Sequence, residues 1–388
     1  MPEFGFTEVH ELLREQAREF AKKELLPGFK ERSVSDRIPR DIATKIAGAG
    51  YIGIMAPEKY GGQGLDAVSM GIVMEEFGKV DRVVTHTVSF PAELISILIE
   101  EGSEEQKQEW IPPALRGELM PGFCFTEPEC GTDLRAIKLK VVREGDFYIT
   151  SGEKTSVTCG MEANPLLVWG KTKPEAGVRG ISCFIMSSDL PGIAKIPIPD
   201  MGLSPFQRAS IHFDAVRFPA RSLLGGEGEG VFLAMGVFDV FRTTACMAAI
   251  GQAEVSLSEA IDYAKQRVAF GRPVAKFEAI SFKIAEDLTL VDAARLLCYR
   301  TLWMRDQGLK SSKEAAMCKW LIPQLANKII HDSLLIFGHY GYSQELPLQQ
   351  RLSDNIAMEI GDGTAEAQKL VIVREALGRE FLPYYDRR

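Results

Sequence analysis

The chain has 388 residues, of which 46% are hydrophobic and 25% charged. This composition is that of a globular protein with room for two or three packed units. The formal net charge of −8 argues against a polyanion such as DNA as the main ligand, although it is compatible with a local basic pocket for phosphate. Nucleic-acid binding is therefore not expected.

No segment holds the roughly 18 uninterrupted apolar residues of a membrane span. The segment Met1–Phe6 also lacks the basic and apolar regions of a signal peptide. We therefore expect a cytoplasmic protein without a membrane span. The seven scattered cysteines form no Cys-x-x-Cys pair and are expected to be reduced thiols, and no two of the five histidines are three or four residues apart, so no metal site is predicted.

The first third of the chain is predicted to be helical. Thr7 can cap an amphipathic helix, in which apolar residues recur at helical spacing up to Leu26. Turn signals such as Tyr60-Gly61-Gly62 separate the helical stretches. The predicted helices are Thr7–Leu26, Pro39–Ala49, Ala67–Phe77 and Ser89–Glu101.

After Pro121 the pattern changes to short runs rich in β-branched and aromatic residues, which are bounded by Gly, Pro and Asp. Such runs are typical of the strands of a small sheet or barrel. The predicted strands are Phe147–Thr150, Leu166–Trp169, Ile181–Met186 and Ala209–Phe213.

Beyond the glycine cluster Gly225–Gly230, long helical patterns dominate, and their wide apolar faces favour packing as an up-and-down four-helix bundle. The predicted helices are Val231–Val268, Ala279–Gln307, Ser312–Phe337 and Thr364–Glu380. The predicted fold is α+β and mainly α. Its three domains are a helical domain at 1–120, a β domain at 121–226 and a helical bundle at 227–388.

The run Ile360-Gly361-Asp362-Gly363-Thr364 places a lone carboxylate on a glycine-flanked turn. Thr364 is positioned to cap a helix over Ala365–Leu377. Taken alone, the segment is an ordinary turn followed by a helix start. Taken with further motifs elsewhere, it is a candidate site for a catalytic base.

Two longer motifs carry a resemblance to a known family. The run Phe125-Thr126-Glu127-Pro128-Glu129-Cys130-Gly131-Thr132-Asp133 resembles the Thr-Glu-Pro motif of acyl-CoA dehydrogenases. The segment Tyr263–Asp287, the pair Gly341-Tyr342 and the Asp-Gly-Thr run match the same family in the same order. The resemblance covers nearly the whole chain.

The resemblance implies an FAD enzyme that removes an α-proton and a β-hydride from an acyl-CoA thioester. It also implies a homotetramer, a dimer of dimers, that passes electrons to an electron-transfer flavoprotein. The reaction needs a base, a hydride acceptor on the opposite face and a hydrogen-bonded thioester oxygen. In the family, one residue supplies the base with its side chain and the hydrogen bond to the thioester oxygen with its backbone N–H. The resemblance therefore assigns both roles to Asp362.

The resemblance also implies the cofactor residues. Those assigned to FAD are Phe125, Thr126, Thr132, Ser156, Thr158, Arg267, Phe270, Gly338, Thr364 and Glu366. An arginine suits a diphosphate because its planar fork makes two charge-assisted bonds. The alternatives are ordinary strand and turn chemistry for the threonines, a solvated helix charge for Arg267, and a first-turn carboxylate for Glu366.

The substrate side is assigned in the same way to Phe238, Asp239, Phe241, Arg242, Gly361 and Gly363. Arg242 is either part of the site or a structural ion-pair partner of Asp239. Some relatives carry their base one residue before this arginine, where this chain has Phe241, which cannot serve. His86 is either a packed histidine or part of the pocket wall.

The chain departs from the family at the base itself. The usual pair is Tyr-Glu, whereas this chain has Gly361-Asp362. A shorter base and an open space beside it favour a bulky acyl group, and aspartate resembles what is found in dehydrogenases of cyclohexane-1-carboxyl-CoA. We therefore predict α,β-dehydrogenation of a cyclic acyl-CoA, such as cyclohexane-1-carboxyl-CoA to cyclohex-1-ene-1-carboxyl-CoA.

Two alternatives stay open. One is a dehydrogenase of straight or branched short-chain acyl-CoA. The other is a flavoprotein that binds acyl-CoA but has lost its chemistry, which is motivated by the short base and by altered flavin contacts. The altered positions are Ser156, Glu278, Leu335 and His339.

Overall fold

The computed structural model describes residues 5–383, with the exception of the Ala234 side chain. The chain forms two compact units that interleave along the sequence. The first unit comprises Met1–Ser33, Asp66–Thr85 and Asp239–Arg388, and the second comprises Val34–Leu65 and His86–Phe238. These units do not test the predicted domain limits 1–120, 121–226 and 227–388, which stay predictions.

The predicted order of a helical region, a β region and a second helical region is confirmed. In the first region the helices are α1 (Glu8–Phe20), α2 (Phe29–Ser33), α3 (Arg40–Gly48), α4 (Ala67–Val80), α5 (Thr85–Glu101) and α6 (Glu104–Leu115). Thr7 caps α1, since its side chain accepts a hydrogen bond from the backbone N–H of His10. A short π-helical turn, Ala21–Leu25, extends α1 to one residue before the predicted limit, Leu26.

Helix α6 was not predicted because it contains Pro112 and Pro113, which usually interrupt a helix. Its start is nevertheless well defined. The Ser103 side chain accepts from the backbone of Gln106, and the Gln106 side chain accepts from the backbone of Ser103. This reciprocal cap satisfies two of the free N–H groups at a helix start.

The middle region is an eight-stranded sheet. Its strands are β1 (Gly122–Cys124), β2 (Lys140–Glu144), β3 (Phe147–Val157), β4 (Leu166–Lys171), β5 (Ile181–Met186), β6 (Ile193–Ile198), β7 (Arg208–Pro219) and β8 (Leu223–Leu224). The order is β6-β7-β3-β2-β4-β5-β8, and β1 pairs with β4 in parallel. The sheet has a buried apolar core that includes Tyr148, Phe184 and Phe218.

The last region begins with α7 (Gly230–Gln266) and a short hairpin, β9 (Val268–Ala269) and β10 (Arg272–Pro273). It continues with α8 (Glu278–Asp306), α9 (Ser312–Phe337), α10 (His339–Tyr342), α11 (Leu348–Ile360) and α12 (Ala365–Leu377). Helix α11 was not predicted. Its buried side includes Arg351, Asp354 and Asn355, so polar residues conceal the apolar period that sequence reasoning depends on.

Helix α7 is, by length and composition alone, apolar enough to cross a membrane. However, 53% of its most apolar 18-residue window is buried inside the protein. Long apolar helices at the centre of a folded protein have this property too. The length and composition of α7 are therefore weak evidence for a span.

A buried carboxylate joins three helices of the first unit. Glu75 on α4 is fully buried, and its Oε2 lies 3.1 Å from Arg14 Nη1 on α1. From α8, Arg295 Nε donates to Glu75 Oε1 at 2.7 Å, and the Tyr299 hydroxyl donates to Oε2 at 2.5 Å. Burial disfavours the ionised acid, but Arg295 and the other partners outweigh it and hold the pKa of Glu75 below its ordinary value.

We expect Glu75→Gln to lower the free energy of unfolding by about 3–5 kcal/mol, because it leaves two arginines facing a neutral partner. Urea unfolding followed by circular dichroism measures this. The matched control is Asp292→Asn, which removes an acid from the same Arg295 at 2.9 Å but at a side chain that is 77% exposed. Equal effects of the two variants would contradict the role given to Glu75.

Candidate functional site

The candidate base lies on the tight turn between α11 and α12, within the first unit. Asp362 has a left-handed backbone, with φ of 56°, which is uncommon for a residue other than glycine. Its side chain is exposed, and no described residue forms a hydrogen bond with its carboxylate. The predicted cap and helix are found as expected, since Thr364 Oγ1 accepts from Ala367 N at 3.3 Å and α12 spans Ala365–Leu377.

The backbone of this turn is fixed by side chains from two other helices. Arg242 on α7 donates from Nε to the Asp362 carbonyl oxygen at 2.9 Å. Gln368 on α12 donates to the same oxygen at 3.4 Å. These bonds hold the main chain of the candidate base and leave its carboxylate free to meet a ligand.

Arg242 also forms the ion pair that was one of its two predicted alternatives. Its Nη1 lies 3.3 Å from Asp239 Oδ1, and the two side chains are 16% and 20% exposed. Burial raises the pKa of Asp239, which Ser312 and Arg242 partly oppose. The structure therefore gives Arg242 both contacts, one to Asp239 and one to Asp362. Phe241, its neighbour, is buried at 5% exposure.

The two glycines beside the base, Gly361 and Gly363, differ in whether their positions tolerate a side chain. Gly363 has φ of 94°, and a Cβ there would lie 2.5 Å from Gln368 Nε2, so a side chain would disturb the turn. Gly361 has an ordinary extended backbone, and a Cβ would meet only the Ala357 oxygen at 3.4 Å. A Cβ at Gly361 would therefore make only an ordinary contact, and the larger space expected from the missing tyrosine stays a prediction. Glu366 is exposed in the first turn of α12.

Three other predicted cofactor residues lie elsewhere in the first unit. Arg267 and Phe270 are on the hairpin after α7, whose tip has positive φ at Phe270 and Gly271. Phe270 is 95% exposed. Gly338 follows the end of α9. No hydrogen bond or ion pair within residues 5–383 joins these three to the Asp362 turn.

The second unit holds the other group of predicted residues. Phe125 follows strand β1 and stacks on Trp169 of β4, with ring centroids 3.5 Å apart and an angle of 16° between the planes. Phe238 packs against Phe125 at 5.5 Å. Trp169 is itself fixed, since its indole N–H donates to the Gly230 carbonyl at 2.8 Å.

A buried ion pair that sequence reasoning missed fixes the loop after Phe125. Lys154 Nζ, from β3, donates to the Phe125 oxygen and to Glu127 Oε1, each at 2.8 Å. The Glu127 carboxylate also accepts from the backbone N–H groups of Lys138 and Leu139 at 2.6 and 3.0 Å. The sequence did contain a signal, because a glutamate in a loop flanked by strands needs a cation when it is buried.

Next to this loop, the hydroxyl groups of Thr126, Thr132, Ser156 and Thr158 have no hydrogen-bond partner among the described side chains and backbone. Ser156 lies at a bulge in β3 with φ of 59°. A flavin ring presents carbonyl oxygens and ring nitrogens, which hydroxyl donors suit. On the first unit, the exposed guanidinium of Arg267 suits a diphosphate. The donors of each unit, taken separately, therefore suit the part of FAD that is predicted to meet them.

A row of aromatic side chains runs through the second unit. The aromatic row consists of Phe206, His86, Phe90, Phe123, Phe238 and Phe125. Consecutive ring centroids are between 5.0 and 6.3 Å apart. His86 is thus packed between Phe90 and Phe206, as one of its two predicted alternatives required. Most members are only half-buried, so the row offers apolar surface.

Comparison with known proteins agrees with these features. The acyl-CoA dehydrogenase N-terminal, middle and C-terminal domain models match residues 7–118, 122–216 and 228–377. The chain belongs to the acyl-CoA dehydrogenase family. Proteins of this family bind FAD and are oxidoreductases acting on CH–CH groups, as predicted.

Three similar proteins illustrate the range of the family. The 3-(aryl)acrylate reductase of Clostridium sporogenes is 36% identical over 96% of this chain and 99% of its own length. The caffeyl-CoA reductase-Etf complex subunit CarC of Acetobacterium woodii is 34% identical, with coverage of 95% and 98%. The structure of butyryl-CoA dehydrogenase from Megasphaera elsdenii has a TM-score of 0.91 and 32% identity, with coverage of 95% and 98%.

We expect Lys154→Met to weaken both the fold and FAD retention in this acyl-CoA dehydrogenase, because Glu127 then stays buried without its cation. A loss of about 3–5 kcal/mol in unfolding free energy is typical of such a change. Thermal unfolding and the flavin absorbance of the purified protein measure the two effects. The control is Lys138→Met, which removes only an exposed partner of Glu129 and should leave both unchanged. Full flavin content in Lys154→Met would contradict the assignment.

Proposed function

We propose that this enzyme dehydrogenates a short-chain acyl-CoA between its α- and β-carbons, with Asp362 as the base. The observation that carries the proposal is the Asp362 turn, where the backbone is hydrogen-bonded and the carboxylate is free. The similarity to butyryl-CoA dehydrogenase, which acts on a four-carbon thioester by its name, supports a short acyl group.

The residues of the chain account for the proton side of the reaction. The Asp362 carboxylate takes the α-proton, while the Asp362 backbone N–H donates to the thioester oxygen and so makes that proton more acidic. Bound FAD supplies the acceptor for the hydride that leaves the β-carbon. Phe125 and the hydroxyls of Thr126 and Thr158 would hold the flavin ring, and Arg267 and Phe270 would meet its diphosphate and adenosine.

We further propose that the enzyme is a homotetramer and passes its electrons to an electron-transfer flavoprotein. A relative named as part of a reductase-Etf complex supports the partner. The Phe270 ring at the hairpin tip is 95% exposed and therefore accessible to the intersubunit cofactor contact that the family resemblance implies. A cytoplasmic location remains part of the same proposal.

A ring-bearing acyl group is the second candidate. Relatives named for short-chain acyl-CoA, among them butyryl-CoA dehydrogenase, support the short-chain alternative better than the predicted cyclic substrate, which none of these short-chain names supports. One feature of this chain still favours a ring. The space at Gly361 is open beside a base that is one methylene shorter, and a bulky acyl group could fill it.

We expect Asp362→Asn to reduce the rate of flavin bleaching by roughly 100- to 10,000-fold, since a positioned base contributes on that scale. Anaerobic stopped-flow absorbance with butyryl-CoA and cyclohexane-1-carboxyl-CoA measures it. The matched control is Glu359→Gln, the same carboxylate-to-amide change on α11, whose side chain accepts from Asn327.

The control variant should bleach at the wild-type rate. Undiminished bleaching in Asp362→Asn would remove the base assignment. If no thioester bleaches the wild-type flavin, the alternative of an acyl-CoA binder without chemistry is favoured instead.

The choice of acyl group is tested by a panel of thioesters with and without Gly361→Tyr. The backbone at Gly361 accepts a side chain, so the variant should fold. If the substrate is short and unbranched, butyryl-CoA gives the higher kcat/KM in the wild type, and the variant changes it little. If the substrate is a ring, cyclohexane-1-carboxyl-CoA is preferred, and filling the space reverses that preference by about tenfold or more.

A further inference from the structure

A buried lysine lies behind the candidate base. Lys319 is on α9 and is 1% exposed. Its Nζ donates to the Met358 carbonyl oxygen at 2.5 Å and to the Gly363 carbonyl oxygen at 3.2 Å. These two oxygens lie on opposite sides of Asp362 in the sequence. One ammonium group therefore ties together both ends of the segment 358–363.

The first of these bonds satisfies the end of a helix. Helix α11 ends at Ile360, and the last four carbonyl groups of any helix lack an intrahelical partner. A lysine near a helix C-terminus supplies a donor and a favourable charge to such groups. The second bond is different, because Gly363 is outside the helix and directly follows Asp362.

The charge of Lys319 has no carboxylate partner at ion-pair distance within residues 5–383. Burial lowers the pKa of Lys319, while Cys246 and Asp362 oppose that effect. A buried ammonium without an ion pair is costly, so the presence of Lys319 at this position needs a reason.

A second buried cation, Arg82, lies in the same unit. It donates to the Asp354 carbonyl oxygen at 3.3 Å, and its Nε has no partner among the described residues.

We propose that Lys319 is a positioning residue for the reaction, which it serves by holding the Asp362 turn in the left-handed conformation that presents the carboxylate to the α-carbon. The inference rests on the proposed role of Asp362 as base. With Arg242 on α7 and Gln368 on α12, Lys319 completes a set of three donors from three helices around one turn. Of these three donors, Lys319 alone contacts both flanks of the base.

The competing interpretation is that Lys319 only caps α11. A cap contributes to stability but does not change how a bound substrate loses its proton. The two interpretations differ in the exchange of the α-proton, because a displacement of about 1 Å in a reacting group can reduce a rate about a hundredfold.

The test variant is Lys319→Met, which keeps the length of the side chain and removes all its donors. The control is Lys328→Met, on the same helix, where the lysine pairs with Asp287 and Asp332 at 2.7 Å each. The holoenzymes are compared for flavin content, thermal unfolding, kcat and KM. Exchange of the α-proton is followed by mass spectrometry in D₂O without an electron acceptor, with whichever of butyryl-CoA and cyclohexane-1-carboxyl-CoA bleaches the wild-type flavin faster.

We expect Lys319→Met to keep its flavin and to lose about 10- to 100-fold in kcat and in proton exchange, with a smaller change in KM. Lys328→Met should lose stability but exchange normally. Normal exchange in Lys319→Met would overturn the proposal. If that variant gives no folded holoenzyme, Lys319→Gln, which can still donate to one carbonyl, takes its place. Failure of both variants to fold, while Lys328→Met folds, would assign Lys319 a purely structural role and also overturn the proposal.

Asp362→Asn in the same exchange measurement separates the two proposals. If it still exchanges the α-proton, the base assignment fails. If it stops exchange while Lys319→Met behaves as the wild type, the function stands and only the positioning role of Lys319 fails.

Discussion

The candidate chemistry depends on the hydrogen bonds that fix the backbone of Asp362. A residue with a side chain costs about 1–2 kcal/mol in the left-handed conformation, so this turn needs support from outside itself. Arg242 and Gln368 donate to the Asp362 carbonyl oxygen, and Lys319 donates to the next one. All these donors use the main chain of the turn. The main chain is therefore held, while the carboxylate forms no ion pair with any residue between 5 and 383 that the structure describes.

A buried lysine also holds a loop backbone in the second unit, at the loop that follows strand β1. Lys154 donates to a backbone carbonyl of that loop, as Lys319 does at the Asp362 turn. There the cation also has a buried glutamate, Glu127, which accepts from two backbone N–H groups. Buried charges are thus used where an irregular loop must keep one shape, since a helix or strand ladder cannot satisfy its polar groups.

The sequence predicted elements whose apolar pattern is clear, and it missed helices that contain prolines or bury polar residues. The limits of β5 and α9 match the predicted runs Ile181–Met186 and Ser312–Phe337, and α12 matches Ala365–Leu377 but ends before the longer predicted limit, Glu380. Helix α11 was missed because Arg351 and Asp354 face inward. At the site, the motifs identified Asp362 and Phe125, but the buried lysines were missed. Their contacts join residues that lie far apart in the chain, and spacing along a sequence does not record such pairs.

The aspartate makes this positioning more demanding than a glutamate would. With one methylene fewer, the side chain has one rotatable bond fewer and a shorter reach. A displacement of the backbone therefore displaces the carboxylate by a similar amount, because fewer side-chain rotations can compensate for it. An open space at Gly361 lets the substrate approach more closely but supplies no contact that would correct such an error. The accuracy must then come from the main chain. In the proposed reaction this holds for a short acyl group and for a ring alike, because both would bring the α-hydrogen to the Asp362 carboxylate.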